Sequence, residues 1–361
     1  MANSAVSPSS IELLEEKLKK KWPNIRASKE AAISKRAQIM QVLDAAEKKY
    51  GSSDTSVVVF GSLARDEWTE KSDLDWGYLI DGQADPEHLN VAQSIKSAFE
   101  KAKLGEMPGS TGIFGYPVFS HELVHQIGGE NDTNANTTRR LLLLLESRPI
   151  GRRDAYDRVI RVILERYFDR DSNLFSHDQA HFRVPRFLLN DVVRYWRTIA
   201  VDFASKQRER PGAGWGLRNV KLRMSRKLIF TSGLLVCFGC QSKYRPVIQD
   251  DPKQSADVLI EHVSAYMNKT PLEILAEALV RYSISEAIIC DLLESYDVFL
   301  ECLNDVKSRD HLKNLSFEAS KNDKVFQQMR EIGHRFQAGL DRFFFQENEE
   351  LSQLIQKYGV F

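Results

Sequence analysis

The segment VVVFGSLARDEWTEKSDLDWGYLID, residues 57–81, constrains the fold more than any other part of the chain. It begins inside a β-branched, apolar run, Thr55 to Phe60, which predicts a buried strand. Gly61-Ser62 then breaks the strand sharply, because glycine admits backbone conformations closed to other residues. A short helical turn carrying Arg65 follows. Residues 72–80 predict a second strand, in which Asp73, Asp75 and Gly77 alternate with Leu74, Trp76 and Tyr78. Side chains alternate in direction along a strand, so Asp73 and Asp75 are expected on one face. Two carboxylates so close repel each other unless a cation sits between them, and hard oxygen donors in this arrangement suit magnesium or manganese. Gly61 would let backbone approach a triphosphate closely, and Ser62 could hydrogen-bond it.

Around this segment the chain reads as a small α/β head followed by a mostly helical body. Residues 1–28 are expected to form a loose tail and a first helix, broken at Pro23. The head is expected over 29–137, with a helix over about 29–50 and another from Pro86 to about Lys103. A glycine- and proline-rich loop over 105–115, a short strand over 116–119 and a brief helix from Ser120 to Gly128 would complete it. From Thr138 onward the apolar spacing is helical, which predicts helices at 138–147, 154–168, 183–206, 217–238, 254–266, 271–278, 281–303, 322–345 and 347–357. The fold class expected is therefore α+β, with a helical body over 138–361.

Composition excludes several classes of function. Fifty Lys and Arg balance fifty Asp and Glu, so net charge gives no ground for general nucleic-acid coating or membrane attraction. The longest apolar run, Leu141 to Leu145, is far short of a membrane span. Four cysteines in 361 residues are too sparse for a disulfide framework, and a cytoplasmic location is the expectation.

The order helix, strand, Gly-Ser, short helix, Asp-x-Asp strand resembles the nucleotidyltransferase superfamily that shares its head domain with DNA polymerase β. The resemblance covers about Lys29 to Ile80. It implies Asp73 and Asp75 as metal ligands, Gly61 and Ser62 as phosphate binders with Arg65 beside them, and Mg2+ or Mn2+ as the cofactor. Two-metal sites activate a hydroxyl and stabilise the leaving pyrophosphate. The family usually carries a third carboxylate on the next core strand, but Tyr116 to Phe119 holds none; Glu122 is the nearest acid, and Asp132 is another candidate. The stretch from Asp132 through Thr138-Arg139-Arg140 and five leucines to Glu146 is loosely similar to bacterial nucleotidyltransferase-like proteins, including some linked to phage defence.

Other signals compete with this one. His121-Glu122-Leu123-Val124-His125 fits the H-E-x-x-H spacing of zinc peptidases, with Glu146 as a third ligand. Cys237-Phe238-Gly239-Cys240 has C-x-x-C spacing without a second pair, and reads as buried structural thiols. The basic run Arg218, Lys221, Arg223, Arg226 and Lys227 offers contacts for a triphosphate or an oligonucleotide, with Lys221 and Arg226 chosen as candidates. Arg183, Arg186, Asn190 and Arg194, near Tyr195 and Trp196, form a similar patch. Tyr358, in an expected mobile tail, is a candidate acceptor hydroxyl. The function expected is transfer of a nucleoside monophosphate from a triphosphate to an acceptor hydroxyl, with a nucleotide or oligonucleotide product favoured. The alternatives are a nucleotide-sensing or partner-inhibiting protein of low turnover and, third, a zinc peptidase. The partners expected are a nucleoside triphosphate, an oligonucleotide product or a partner protein, and no membrane. Base preference and oligomeric state are not legible.

Overall fold

The computed structural model describes residues 8–50, 52–107, 114–169, 183–209, 214–241 and 252–359. In chain order the elements are α1 (Ser10–Leu18), α2 (Pro23–Tyr50), β1 (Thr55–Phe60), α3 (Gly61–Ala64), β2 (Trp76–Ile80), α4 (Glu87–Lys101), β3 (Pro117–Phe119), α5 (Ser120–His125), α6 (Asn134–Leu145) and β4 (Ser147–Ile150). There follow α7 (Asp154–Asp169), α8 (Arg186–Glu209), α9 (Trp215–Lys221), a π-helical turn (Leu222–Arg226), α10 (Lys227–Gly239), α11 (Pro252–Met267), α12 (Pro271–Arg281) and α13 (Glu286–Asn304). The last are α14 (Val306–Asn314), a 3-10 turn (Ala319–Asn322), α15 (Lys324–Phe345), α16 (Glu349–Leu354) and a closing π turn (Ile355–Gly359). This is an α+β fold with a small mixed sheet and a helical body, as expected.

The chain forms two compact units. One comprises residues 27–209 and 236–270, and is called the head unit below; the other comprises residues 1–26, 210–235 and 271–361, and is called the body unit. The head unit contains the sheet, of order β3-β2-β1-β4. β1 runs antiparallel to both β2 and β4, with Val59 opposite Trp76 on one side and Phe60 opposite Ser147 on the other. β3 runs parallel to β2, with Tyr78 beside Pro117. Alternation divides the sheet into two faces. Val57, Val59, Trp76, Tyr78 and Ile80 pack with Ile39 and Leu43 of α2 and with Val91, Ile95 and Phe99 of α4 in one core. Val58, Phe60, Gly77, Leu79 and Val118 point the other way. They line a small apolar cavity with Leu123 and with Leu142 and Leu143 of α6.

β4 differs from the expectation. It lies beyond residue 137, where the body was expected to begin, yet it is a strand of the head sheet. Its sequence, Ser-Arg-Pro-Ile, has neither apolar alternation nor β-branched density, and its proline is tolerated because the strand lies at an edge. β2 is also shorter than expected: regular pairing begins at Trp76, and the chain before it is held by single contacts, Phe60 N–H to the Asp75 carbonyl (2.9 Å) and Leu74 N–H to the Glu106 carbonyl (2.9 Å).

Behind the sheet, Arg140 of α6 is fully buried (0% exposed). Its guanidinium donates to Asp132 (2.8 and 3.2 Å), to Asp191 of α8 (2.8 Å) and to the Tyr167 hydroxyl (2.7 Å), which in turn donates to Asp191 at 2.6 Å. These bonds join α6, α7 and α8 to the loop before α6. In the body unit α13 and α15 pack so closely that a Cβ added at Gly339 would stand 2.9 Å from Leu292 Cδ2. Asp297 of α13 accepts from the backbone N–H groups of Asn24 and Ile25, both at 2.9 Å, and so caps the first turn of α2. Among the described residues no helix is long and apolar enough to cross a membrane.

The Arg140 cluster yields a stability prediction. Arg140→Met should leave two buried carboxylates without their cation and cost about 3–5 kcal/mol, the range for removing one partner of a buried ion pair. Thermal melts followed by circular dichroism should show a large drop in midpoint for Arg140→Met. An exposed control, Arg153→Met, should show almost none.

Candidate functional site

Strand directions alone gather the site. The C-terminal end of β1, the N-terminal ends of β2 and β4 and the N-terminal end of β3 all meet at one end of the sheet. Gly61-Ser62, Asp73 and Asp75, Gly115 and Glu146 therefore come together from separate parts of the chain. Gly115 N–H donates to the Trp76 carbonyl at 2.7 Å, which fixes the edge of this group.

Gly61 is the most constrained residue of the site. Its φ is +65°, in the left-handed region that disfavours a side chain. A Cβ built on it would lie 2.8 Å from Asp75 Oδ2. The Asp75 carboxylate thus faces bare backbone at the strand end, half-buried, while Asp73 is exposed two residues earlier. Asp73 also forms a backbone bridge with Glu106. Ser62 is half-buried in the first turn of α3.

The turn that carries Gly61 and Ser62 is held from three sides. Arg36 of α2 donates to the Leu63 carbonyl and to Asp66, both at 2.6 Å. Arg148 of β4 donates to the Ala64 carbonyl at 2.9 Å and lies 3.5 Å from Asp66. Arg65, only 6% exposed, donates through Nε (2.9 Å) and Nη2 (2.8 Å) to Glu67 and through Nη1 to Glu146. Arg65 was expected to bind nucleotide. The structure instead places its guanidinium between two buried carboxylates, where it holds the turn to β4.

The expected third acid, Glu122, is not in the group. β3 runs parallel to β2, so α5 starts where β2 ends, beside Ile80, and Glu122 lies at the opposite end of the sheet from Asp75. Its carboxylate is exposed and faces Arg139 at 3.4 Å. Asp132, the other candidate, belongs to the buried Arg140 cluster. Glu146 is the acid that the fold brings to the right end of the sheet, immediately before β4, and its carboxylate is engaged by Arg65. Among the described residues no group of three or more His, Cys, Asp or Glu is placed to hold a metal ion. The Asp73–Asp75 pair still fits magnesium, which takes one or two protein carboxylates and completes its octahedron with water and substrate phosphates.

The rival signals fall elsewhere. His121 and His125 are exposed on α5 with ring centroids 4.7 Å apart, and His125 Nδ1 lies 3.3 Å from Arg166. Glu146 is not their third ligand, because it is bound to Arg65. Cys237 and Cys240 are fully buried at the end of α10. Burial pushes the Cys240 thiol up to about 12 and that of Cys237 well above its ordinary value, so neither forms a thiolate readily. Tyr195 is buried and offers no stacking surface; Arg194 donates to the Asp132 carbonyl at 2.7 Å and to Asn134. Lys221 and Arg226 lie in the body unit, at the end of α9 and in the π turn, both half-buried and both with partners. Tyr358 was expected in a mobile tail. It sits instead in the closing π turn, half-buried, with the Lys357 ammonium 5.1 Å from its ring centre. Phe361 lies outside the described residues.

No curated protein matches the chain significantly. The segment 39–106 runs from within α2 through β1, the Gly61 turn and β2 to Glu106. It matches the family model described as the nucleotidyltransferase domain.

Proposed function

We propose that the protein transfers a nucleoside monophosphate from a nucleoside triphosphate to an acceptor hydroxyl, with Asp73 and Asp75 holding magnesium or manganese. The observation that carries this reading is the approach of the Asp75 carboxylate to the bare backbone of Gly61 at the end of β1. A phosphate chain laid along that end meets backbone unobstructed by a side chain, a hydroxyl from Ser62 and a pair of carboxylates able to share a cation with it. The ion, when bound, supplies positive charge against the phosphate oxygens and makes the acceptor hydroxyl easier to deprotonate. The acceptor oxygen then bonds to the α-phosphorus as its proton passes to solvent, the bond from the α-phosphorus to the β-phosphate oxygen breaks, and pyrophosphate leaves. The chain's own contribution is position: Gly61 admits the phosphates, Ser62 orients them, and the Arg65 and Arg36 contacts keep the turn from shifting. A nucleotide or oligonucleotide acceptor is the favoured one, on the strength of the basic run at 218–227 in the sequence, Lys221 and Arg226 included. A role in phage defence rests only on the loose likeness of residues 132–146 to bacterial defence proteins.

One observation favours a second reading. Glu146, the acid best placed by the sheet to be a third carboxylate, is held by Arg65. A site with two carboxylates fits a protein that senses nucleotide, or inhibits a partner, with little turnover. Incubating the full chain with each labelled triphosphate and magnesium, then resolving products by size and by attachment to protein, separates the two.

Three outcomes are expected of the transferase. Asp73→Asn with Asp75→Asn should abolish pyrophosphate release while the circular dichroism spectrum is preserved; release at the wild-type rate would end the proposal. Ser62→Ala should raise the apparent Kd for triphosphate by an amount worth about 1.5–3 kcal/mol, one hydrogen bond to a charged group, with little change in melting temperature. Gly61→Ala should eliminate transfer and also lower the melting temperature, because the left-handed backbone and the Asp75 oxygen both resist a methyl group.

A further inference from the structure

The body unit gathers positive charge that no acid among the described residues meets at ion-pair distance. Arg223 lies in the π turn, Lys227 opens α10 one turn later, and Arg330 lies on α15. The Arg223 stem runs over Gly333 of α15, where an added Cβ would stand 3.4 Å from its Cβ and Cδ. Arg223 Nε donates to Asn219 Oδ1 at 2.9 Å, and Lys227 Nζ donates to Gln337 Oε1. Both acceptors are neutral amide oxygens. No carboxylate among the described residues forms an ion pair with Arg223, Lys227 or Arg330. Asp341 acts on Lys227 at longer range, and its own oxygen accepts from the Gln337 amide at 2.6 Å.

Several other cations of this unit are paired. Arg335 is bound to Asp291 at 2.6 Å and to Glu294 at 2.8 Å, Arg342 to Asp291, and Lys20 to Glu294 at 2.5 Å. Arg223 and Lys227 differ from these in being half-buried with only neutral amide oxygens as hydrogen-bond partners. Their grouping is an energetic cost, since like charges brought together out of water destabilise one another. Burial, and then the Arg223 charge, bring the Lys227 ammonium down to about 8. Burial and Arg330 likewise lower Arg223. The π turn adds to the case, because such turns inside helices occur frequently at functional sites.

We infer that Arg223, Lys227 and Arg330 form an anion site, built wholly from body-unit residues, that takes a short oligophosphate chain. Two guanidinium forks and one ammonium present many donors and three positive charges in a small space. Phosphate oxygens match that set in charge and in geometry, whereas a single carboxylate would leave most of the charge uncompensated. The chain could be a free inorganic oligophosphate or the triphosphate of a nucleotide. The site does not depend on the proposed transfer reaction.

The test is titration calorimetry on the full chain in EDTA, with inorganic tripolyphosphate, adenosine triphosphate and adenosine as separate titrants. Without divalent metal the carboxylates of the head repel phosphate, so the head contributes no binding. Tripolyphosphate should bind one per chain, adenosine triphosphate within a few-fold of it, and adenosine not at all. If free oligophosphate is the natural ligand, tripolyphosphate binds the tighter of the two; if a nucleotide is, adenosine triphosphate does. Lys227→Met, and Arg330→Glu at an exposed position that cannot disturb folding, should each weaken tripolyphosphate by about tenfold or more. Asp73→Asn with Asp75→Asn should bind it like the wild type. Lys227 supplies a sharper sign. The charged groups that act on it are Arg223 from its own segment and Asp341 from α15. A bound anion favours its charged form, so near pH 8 binding draws in a proton. The measured heat should then vary with the ionisation enthalpy of the buffer, and affinity should fall as pH rises past 8. Lys227→Met should abolish both effects. Wild-type affinity in Lys227→Met and Arg330→Glu, or loss of tripolyphosphate binding in the Asp73/Asp75 variant, would overturn the inference.

Discussion

The buried contact between Arg65 and the pair Glu67 and Glu146 is the interaction on which the head depends. It joins the turn after β1 to the strand that flanks it, across 81 residues of chain. One cation between two carboxylates leaves a net negative charge out of water, offset by a hydrogen bond from each of the three guanidinium nitrogens to a carboxylate. Asp66, at φ 61°, lies between Arg65 and Glu67, and its own charge is met by Arg36 and Arg148. The turn is therefore built from strained and charged parts that stabilise one another only in the folded arrangement. Gly61 takes its position from that lattice rather than from its own short helix, which has just four residues.

The sheet separates two tasks between its faces. The face under α2 and α4 is a conventional apolar core, with Trp76 and Phe99 in edge contact at 5.4 Å. The other face carries Asp75, Gly77 and Leu79 in alternation and is covered by the leucines of α6. Stability comes chiefly from the first face, which leaves the polar end of the second to be arranged for chemistry.

The local parts of this arrangement were legible in the sequence and the long-range parts were not. β1 and the Gly61-Ser62 break are readable because β-branched density and a glycine act on the chain within a few residues. The spacing of Asp73 and Asp75 predicts one strand face, but regular pairing begins only at Trp76, after both. β4 is not readable, since Ser-Arg-Pro-Ile becomes a strand only by pairing with β1. The burial of Arg65 depends on Glu146, and nothing in the neighbourhood of either residue announces the other. Glu122 looked like a third acid because it follows β3 closely in sequence; the parallel pairing of β3 with β2 sends it to the wrong end of the sheet. The basic run at 218–227 was legible as a run. The distinction between its paired members, Lys221 and Arg226, and its unpaired members, Arg223 and Lys227, required α15 to be in place.

The π turn at Leu222–Arg226 has an evolutionary consequence. A π turn holds one residue more than the same stretch of α-helix. Deleting one position between 222 and 226 would restore an unbroken α-helix and rotate everything before it by about 100° relative to α10. Arg223 would swing off Gly333 while Lys227 stayed at Gln337, and the buried Trp215, Leu217 and Val220 of α9 would leave their packing. The extra residue therefore sets the burial of α9 and the alignment of the two cations together, and a comparison of sequence lengths through this stretch would separate chains that have it from chains that do not.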